Sequence, residues 1–423
     1  MRIFRSRLKK TARGERIHPK LDWLNITPEA GNFTFGYYDR NPFSIDNRYH
    51  LAVRFEQQKA IPEPGETAMV GIIDIPERTF KPVAETQAWC HQQGAMTQWL
   101  PNKPGQFIFN DFKRDNSGNW KPISRVYNLR GNHIKDYEHP VYVLSHDGKY
   151  AATLDFSRIP RRGYSYARAP KPDDSNVPDP DSNGLFIMNM ETGKRRLALS
   201  YREILSHPDG SFSCSNLMHN PSHGYYHWMN HAVFNCDDSR VMVLHRYQKS
   251  LGDWKTDLWS CRLDGTDAIC SFDHEWWSNW GVSHQMWGRS PREILVDGKR
   301  GRFSYPKYWV FDEIGGPAGA TLVSRGTRHS GHLNFSPNFR WLLGDTYPHR
   351  RTQYLSVTRL PSNKAKIIGS FYHSPKQRGD YRCDLHPRWS ADGRYISVDS
   401  IHLGTRNIFI LEADEIMSKI YGN

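Results

Sequence analysis

Hydrophobic and polar positions alternate along this chain in a short unit that recurs seven times. Each unit is a hydrophobic run, a turn rich in Asp, Asn, Gly or Pro, a basic residue and a second hydrophobic run. The clearest copies span residues 387–398 and 333–343, three others span 232–244, 141–154 and 42–53, and two less regular ones span 99–109 and 286–296. Alternating strand-forming residues on both sides of a tight turn predict a β-hairpin. The chain is therefore predicted to contain seven hairpins of similar design.

The spacing of these units predicts the fold. They begin near residues 42, 99, 141, 232, 285, 333 and 387, and most intervals suit one four-stranded blade. The interval from 141 to 232 is longer, and it contains a stretch at 158–183 that is rich in Pro, Asp, Ser and Arg. We interpret this stretch as a loop insertion, and a divergent eighth blade is the alternative. The predicted fold is all-β, a seven-bladed β-propeller of four-stranded antiparallel blades.

One propeller domain accounts for nearly all of the 423 residues, because each blade packs mainly on its neighbours. We predict a basic N-terminal arm at 1–25, the propeller at 26–423, and helix only near the C-terminus, at 412–420. No run approaches the roughly 18 apolar residues of a membrane span, and no apolar segment follows the basic residues of the arm as in a secretory signal peptide. The six cysteines include no CxxC pair. Together these features favour a cytoplasmic location and reduced cysteines.

The net charge of +13 favours an anionic partner. Nucleic acid, an acidic polysaccharide and an anionic membrane surface all carry the required charge. We find no P-loop, dinucleotide-binding fingerprint or nucleophile elbow, and no motif supports nucleic-acid binding. The basic residues at 2–20 are interpreted as a solvated arm or as a peripheral contact with a membrane.

Four histidines occupy the same position in four consecutive units, each four residues before the Asn, Gly or Ser of the turn: His231, His284, His332 and His386. Residues that enter the innermost strand of a blade lie at the rim of the central channel, on the same face in every blade. We therefore expect the four imidazoles to converge. Convergent neutral imidazoles are typical ligands of Zn or Mn, and His329 is a further candidate ligand. The alternative is that each histidine bonds to the backbone of a neighbouring blade.

A second group of candidates precedes the fourth blade. The segment 219–231 contains Tyr226, His227 and His231, ahead of a strand whose far end carries Arg246. Such a segment offers a general base, a phenolic acid and a cation to one ligand. Packing between blades is an equally good interpretation of these residues.

Basic and aromatic residues elsewhere suit an acidic sugar. The insertion carries Arg158, Tyr164 and Tyr166, and Arg382 lies shortly before the last unit. A guanidinium pairs with a carboxylate through two hydrogen bonds, and an aromatic face stacks on a pyranose ring. A single-stranded nucleic acid or a solvated basic loop would also explain the insertion.

Three segments resemble the blade motifs of the oligogalacturonate lyases: 282–285, 331–337 and 385–393, which read VSHQ, GHLNFSP and LHPRWSADG. The overall plan also resembles the propeller ulvan lyases. The resemblance covers about the last half of the chain and implies a seven-bladed propeller whose channel-face histidines bind a divalent metal or contact the uronate. It implies His284 and His332 as metal ligands and His329 in the place of a further ligand. Asn334 stands where the lyase pattern has another histidine.

The activity implied is β-elimination at a uronic acid of an acidic oligo- or polysaccharide. A divalent metal (Mn, Zn or Ca) or basic side chains neutralise the carboxylate, a His or Tyr removes the C5 proton, and the 4-O-linked sugar leaves. A uronate C5-epimerase and a non-catalytic glycan-binding or scaffolding propeller remain open alternatives. The assignments are metal or carboxylate binding for His284, His332 and His386, base for His227 or His231, acid for Tyr226 and carboxylate partner for Arg246.

Overall fold

The computed structural model describes residues 21–28, 30–63, 65–159, 177–211, 224–250, 254–300 and 305–422. Within these ranges the strands form seven four-stranded antiparallel sheets. Six sheets use four strands that follow one another along the chain, and the seventh joins the first strand to the last three. The predicted seven-bladed β-propeller is therefore confirmed.

The strands run in chain order from β1 (Leu24–Asn25), which belongs to the last blade. Blade one comprises β2 (Asn32–Thr34), β3 (Tyr49–Phe55), β4 (Ala68–Asp74) and β5 (Thr79–Thr86). Blade two comprises β6 (Gln98–Trp99), β7 (Gln106–Arg114), β8 (Trp120–Asn128) and β9 (His133–Tyr137). Blade three comprises β10 (Val143–Leu144), β11 (Tyr150–Thr153), β12 (Gly184–Asn189) and β13 (Arg195–Ser200).

The remaining blades continue the pattern. Blade four comprises β14 (Tyr226–Phe234), β15 (Arg240–Gln248), β16 (Lys255–Arg262) and β17 (Ile269–Phe272). Blade five comprises β18 (Gln285–Trp287), β19 (Glu293–Gly298), β20 (Lys307–Asp312) and β21 (Thr321–Ser324). Blade six comprises β22 (Leu333–Phe335), β23 (Trp341–Asp345), β24 (Thr352–Arg359) and β25 (Ala365–Tyr372). Blade seven comprises β26 (Arg388–Trp389), β27 (Tyr395–Ser400), β28 (Asn407–Glu412) and β1.

The recurring turn is built by its own side chains. In blade seven the Ser390 hydroxyl donates to Asp392 at 2.6 Å and accepts from the backbone N–H of Tyr395 at 2.9 Å. These bonds close the turn locally, before any contact between blades is needed. The same arrangement recurs in blades one, three and six, at Ser44, Ser145 and Ser336.

The ring is closed by pairing the first strand with the last. Leu24 pairs with Ile410 and Asn25 with Phe409. Strand β1 thus lies within the segment 1–25 that the sequence assigns to the basic arm. Residues 1–20 lie outside the described ranges, so membrane contact through the arm stays a prediction.

The long interval between the third and fourth units contains blade three and one short helix. The described residues there form no further sheet, and the insertion lies between β11 and β12, with residues 160–176 outside the described ranges.

The helices are α1 (Tyr201–Ser206), α2 (His274–Trp280) and α3 (Ala413–Ile416), the last followed by a π-helical turn, Met417–Tyr421. Only α3 was expected, because α1 and α2 have six and seven residues and are too short to show a periodic pattern of apolar positions. Among the described residues, no helix has the length and apolar character needed to cross a bilayer.

A buried ionic cluster holds blade seven together. Asp399 lies 2.6 Å from Arg388 and 2.8 Å from Arg406, and all three side chains are fully buried. The Thr34 hydroxyl of blade one also donates to Asp399, at 2.7 Å. Burial alone would raise the pKa of Asp399, but the two guanidinium groups hold it below its ordinary value.

Asp399→Asn is expected to lower the free energy of unfolding by about 3–5 kcal/mol, because it leaves two buried guanidinium groups without a carboxylate. Urea denaturation monitored by tryptophan fluorescence measures this loss. Asp74→Asn is the matched control, since the Arg48–Asp74 pair is partly exposed and should contribute no more than about 1 kcal/mol. Similar stability losses in both variants would contradict the prediction.

Candidate active site at the centre of the channel

The structure brings the four in-register histidines together at the centre of the ring. His231 lies on β14, and the others precede β18, β22 and β26. The ring centroids of His284 and His332 are 4.0 Å apart, and those of His332 and His386 are 4.2 Å apart. All four side chains are buried. Four consecutive blades therefore direct one imidazole each to the same place.

Buried carboxylates fix the backbone that carries these histidines. Asp345 accepts from the backbone N–H of His332 at 2.6 Å and of His386 at 3.0 Å. Asp297 accepts from the backbone N–H of His284 at 2.7 Å. Burial raises the pKa of Asp297 to about 6. Asp345 is the last residue of the second strand of its blade and Asp297 the last but one, so the blade repeat itself positions the imidazoles.

Hydrogen bonds determine which ring nitrogens can act as ligands. Nδ1 of His284 donates to the carbonyl of Gly331 at 2.8 Å, and Nδ1 of His386 donates to the carbonyl of Gly36 at 2.9 Å. Burial and the neighbouring His332 hold the pKa of both imidazoles well below its ordinary value. Both rings are therefore neutral, with the lone pair on Nε2.

Asp384 joins two of these histidines in a group that could hold a metal ion. His332, Asp384 and His386 each offer one ligand atom, and these atoms lie within 4.8 Å of one another. Arg382 contacts both oxygens of Asp384 at 2.6 Å. His329 is not part of this group, because its ring stacks on His349 with the centroids 4.5 Å apart. Asp384 was not predicted as a site residue from the sequence, although it lies only two residues before His386.

Two tyrosines fill the space between the four imidazoles. Tyr37 and Tyr38 follow β2, and the Tyr37 ring centroid lies 4.9 to 6.5 Å from all four histidine rings. The Tyr38 hydroxyl donates to the carbonyl of Gln285 at 3.0 Å. Gly36 precedes them with φ at 129°, where an added Cβ would lie 2.5 Å from the Gln93 carbonyl oxygen. This segment was not predicted from the sequence, because it precedes the first hairpin unit and lies outside the repeat.

His231 has polar neighbours on both ring nitrogens. The Gln285 amide lies 2.8 Å from Nδ1, and a carboxylate oxygen of Asp39 lies 3.4 Å from Nε2. Burial lowers the pKa of His231, and Asp39 partly restores it. Arg246 is close enough for its charge to lower the pKa of both His231 and His284. Arg246 therefore contributes a positive charge to the surroundings of both histidines.

Tyr347 is a partly exposed phenol at the edge of this group. Its hydroxyl lies 3.2 Å from Nε2 of His284 and 3.0 Å from the Ser283 hydroxyl. Because Nε2 of His284 carries the lone pair, the tyrosine donates to it. The Arg382 guanidinium lies over the Tyr347 ring, 4.6 Å from its centroid. Tyr347 was not predicted as a site residue from the sequence, since it lies in a loop after β23 that no motif marks.

His227 lies further along β14, in a chain of buried polar groups within blade four. Its Nδ1 is 2.9 Å from Nε2 of His245, whose Nδ1 is 3.5 Å from Asp257. Ser211 continues the chain, donating to Asp257 at 2.6 Å and lying 2.9 Å from Nδ1 of His274. Burial and the charge of His245 hold the pKa of His227 well below its ordinary value. His227 therefore belongs to a second polar group, beside the central one.

The remaining candidates from the sequence are placed less centrally or lie outside the described residues. Arg158 is buried, and its guanidinium donates to the carbonyl of His227 at 3.0 Å and lies over the Tyr226 ring. The Tyr226 hydroxyl donates to the Arg158 carbonyl at 2.9 Å. Tyr164 and Tyr166 fall at positions outside the described ranges.

Comparison with known proteins identifies the fold. No protein-family model and no curated protein match the chain. An oligogalacturonate lyase from Vibrio parahaemolyticus matches with a TM-score of 0.61 and 13% identity, over 93% of this chain and 94% of that one. An oligogalacturonate lyase in complex with manganese matches with a TM-score of 0.60 and 12% identity, over 93% of each chain. The tricorn protease matches with a TM-score of 0.50 and 10% identity, over 92% of this chain and 34% of that one. At such low identity these matches establish shared architecture: the chain has the propeller fold of the oligogalacturonate lyases.

Proposed function

We propose that this protein is a lyase that cleaves a uronate-containing oligo- or polysaccharide by β-elimination. The observation that carries the proposal is the convergence of four buried imidazoles at the centre of the channel, with a carboxylate next to two of them. The shared fold of the oligogalacturonate lyases supports the same substrate class. The net positive charge suits an acidic glycan.

The central residues fit a divalent metal. Asp384, His332 and His386 would hold it, and the buried Nε2 of His386 has no hydrogen-bond partner among the described residues. Nδ1 of His332 lies 3.0 Å from a carboxylate oxygen of Asp345. A metal-bound imidazole usually donates its other ring N–H to a group of this kind, which orients the ring. A donor set rich in nitrogen suits Mn²⁺ or Zn²⁺ better than Ca²⁺. When bound, such a metal would neutralise the uronate carboxylate and acidify the C5 proton.

His231 is proposed as the base that removes the C5 proton. Its Nδ1 lies 2.8 Å from the side-chain amide of Gln285. We assign the amide oxygen to that side, where it accepts from a protonated Nδ1, so that Nε2 carries the lone pair that removes the C5 proton. Asp39, 3.4 Å from Nε2, stabilises the imidazolium that forms. We prefer His231 to His227, because His227 belongs to the separate polar chain of blade four.

Tyr347 is proposed as the acid, in place of Tyr226. The Tyr226 hydroxyl is bonded to the Arg158 carbonyl, whereas Tyr347 is a partly exposed residue whose hydroxyl lies beside His284. As the electron pair of the C5–H bond forms the C4–C5 double bond, the C4–O bond breaks. Tyr347 then donates its proton to the leaving oxygen, and its hydrogen bond to His284 orients the hydroxyl.

Arg246 and Arg382 are proposed to bind the substrate carboxylates. Arg246 is largely buried and stacks on Trp254, 5.1 Å from the ring centroid, and its charge lowers the pKa of His231. Arg382 is partly exposed and already pairs with a carboxylate, that of Asp384. A guanidinium in such a position is suited to a planar carboxylate.

The function is tested by incubating the purified protein with a panel of oligouronates in deuterated buffer. Lyase activity produces the ultraviolet absorbance of a C4–C5 double bond. Exchange of the C5 proton without that absorbance would instead identify an epimerase. Binding with neither reaction would identify a glycan-binding or scaffolding propeller and would contradict the proposal.

Tyr347→Phe is expected to lower kcat by roughly 10²-fold, because it removes the proton for the leaving oxygen while keeping the ring under Arg382. Mn²⁺ affinity should stay unchanged, since Tyr347 is outside the ligand group. Steady-state kinetics and metal titration measure the two quantities. Tyr395→Phe is the matched control, because that hydroxyl bonds to Glu412 in blade seven. An unchanged kcat in Tyr347→Phe would exclude this tyrosine as the acid.

A further inference from the structure

A group of basic and aromatic side chains lies where blades five and six meet. We call it the basic platform, and it consists of Tyr305, Arg328, His329, His349, Arg350 and Arg351. The guanidinium carbon of Arg328 lies 5.3 Å from the Tyr305 ring centroid. The rings of His329 and His349 stack at 24°, with the centroids 4.5 Å apart. Arg328 directly precedes His329, and Arg350 and Arg351 directly follow His349, so the chain links the two contacts and the turn.

The tight turn between β23 and β24 departs from ordinary turn chemistry. His349 and Thr352 pair across it, and its two central residues, Arg350 and Arg351, have φ values of 49° and 68°. A turn with positive φ at both central positions favours Asn and Gly, because other side chains crowd the backbone in this region. Arg328 also has a positive φ, at 71°. Three arginines in unfavourable backbone conformations within one cluster indicate a role other than stability.

The charges of the platform are available to a ligand. Arg328, Arg350 and Arg351 are exposed, and none of them forms an ion pair with a carboxylate within the described part of the chain. Tyr305 is 57% exposed, although it is a large aromatic residue. Exposed arginines beside an exposed aromatic ring suit a ligand that has both a carboxylate and a flat apolar face, as a uronate has.

The platform adjoins the candidate active site. Tyr347 lies two residues before His349, and its hydroxyl is 3.2 Å from Nε2 of His284. Its ring centroid is 5.6 Å from that of His332. Arg350 and Arg351 therefore follow Tyr347 by three and four residues, on the connection between β23 and β24.

We propose that the basic platform is a second saccharide subsite. It binds the carboxylate of a uronate unit other than the one that reacts, through Arg350, Arg351 and Arg328, with the sugar ring on Tyr305. This inference rests on the proposed function and deepens it, because it assigns the protein a preference for acidic oligosaccharides longer than a disaccharide.

The test combines Arg350→Asn and Arg351→Gly, which give the turn its preferred residues. Binding of digalacturonate, pentagalacturonate and the uncharged maltopentaose is measured by isothermal titration calorimetry, with inactive His231→Gln as the background. The variant should bind pentagalacturonate about 10-fold or more weakly, since two charge-assisted contacts are lost, and digalacturonate within twofold of the parent. Its melting temperature should rise by a few degrees, because the turn is relieved of strain.

A double variant of Arg130 and Arg340 to alanine is the matched control, since both residues are exposed arginines in other loops and the charge change is identical. It should bind all three sugars as the parent does. Unchanged pentagalacturonate affinity in the turn variant, or equal losses for both oligouronates, overturns the platform as a separate subsite. If the parent binds neither oligouronate, the proposed function itself fails, and the subsite with it.

Discussion

Replacement of His332 by alanine is expected to weaken Mn²⁺ binding by more than about 100-fold. Loss of an outer partner of a metal ligand already costs about 10–100-fold in affinity, and loss of the ligand itself should cost more. His332 forms, with Asp384 and His386, the only group of three or more His, Cys, Asp or Glu residues in the described part of the chain whose ligand atoms all lie within 4.8 Å of one another. Equilibrium dialysis followed by elemental analysis measures the affinity directly.

His329→Ala is the control that separates two ligand sets. The resemblance to the lyases implies His329 as a ligand, whereas the structure stacks its ring on His349. We therefore expect His329→Ala to keep the Mn²⁺ affinity within about twofold of the wild type, because its ring is outside the group. An equal loss in both variants would support the ligand set implied by the resemblance. A wild-type protein that binds no metal would contradict the metal site altogether, and the imidazoles would then contact the carboxylate directly.

The fold could be predicted from the sequence because its repeating unit is local. The Ser390–Asp392 turn closes through bonds within six residues, and similar turns recur in other blades. A turn of this kind can be recognised from the sequence without knowledge of tertiary contacts. The helices α1 and α2 were missed because each is a short link, in which one cap residue such as Asp273 decides the conformation.

The candidate site could be predicted only where it follows the repeat. The four histidines share one position in the blade, so the register of the units identified them together. Tyr37, Asp39 and Tyr347 lie in connecting loops, and their place beside the imidazoles arises from the closure of the ring. Spacing along the chain also says little about which way a loop side chain turns, as His329 illustrates.

His231→Gln is expected to lower kcat on an oligouronate by about 10³-fold while leaving KM nearly unchanged. A base acts in the transition state, so its loss affects turnover more than binding. The backbone supports this role: His231 has φ at 56° and lies where the pairing of β14 with β15 shifts register. A strained, bulged position in an otherwise regular strand turns the imidazole toward the channel. Turnover and C5 deuterium exchange should be lost together, and steady-state kinetics and the exchange assay measure the two losses.

Two further histidine variants make the result specific. His146→Gln should leave kcat unchanged, because that imidazole is exposed and pairs with Asp238. His227→Gln should have a smaller effect than His231→Gln, since His227 contacts His245 and lies outside the central group. If His227→Gln abolishes turnover and His231→Gln does not, the polar chain through His245 and Asp257 supplies the base. The central imidazoles would then serve only to bind the metal and the substrate carboxylate, and proton transfer would occur in blade four.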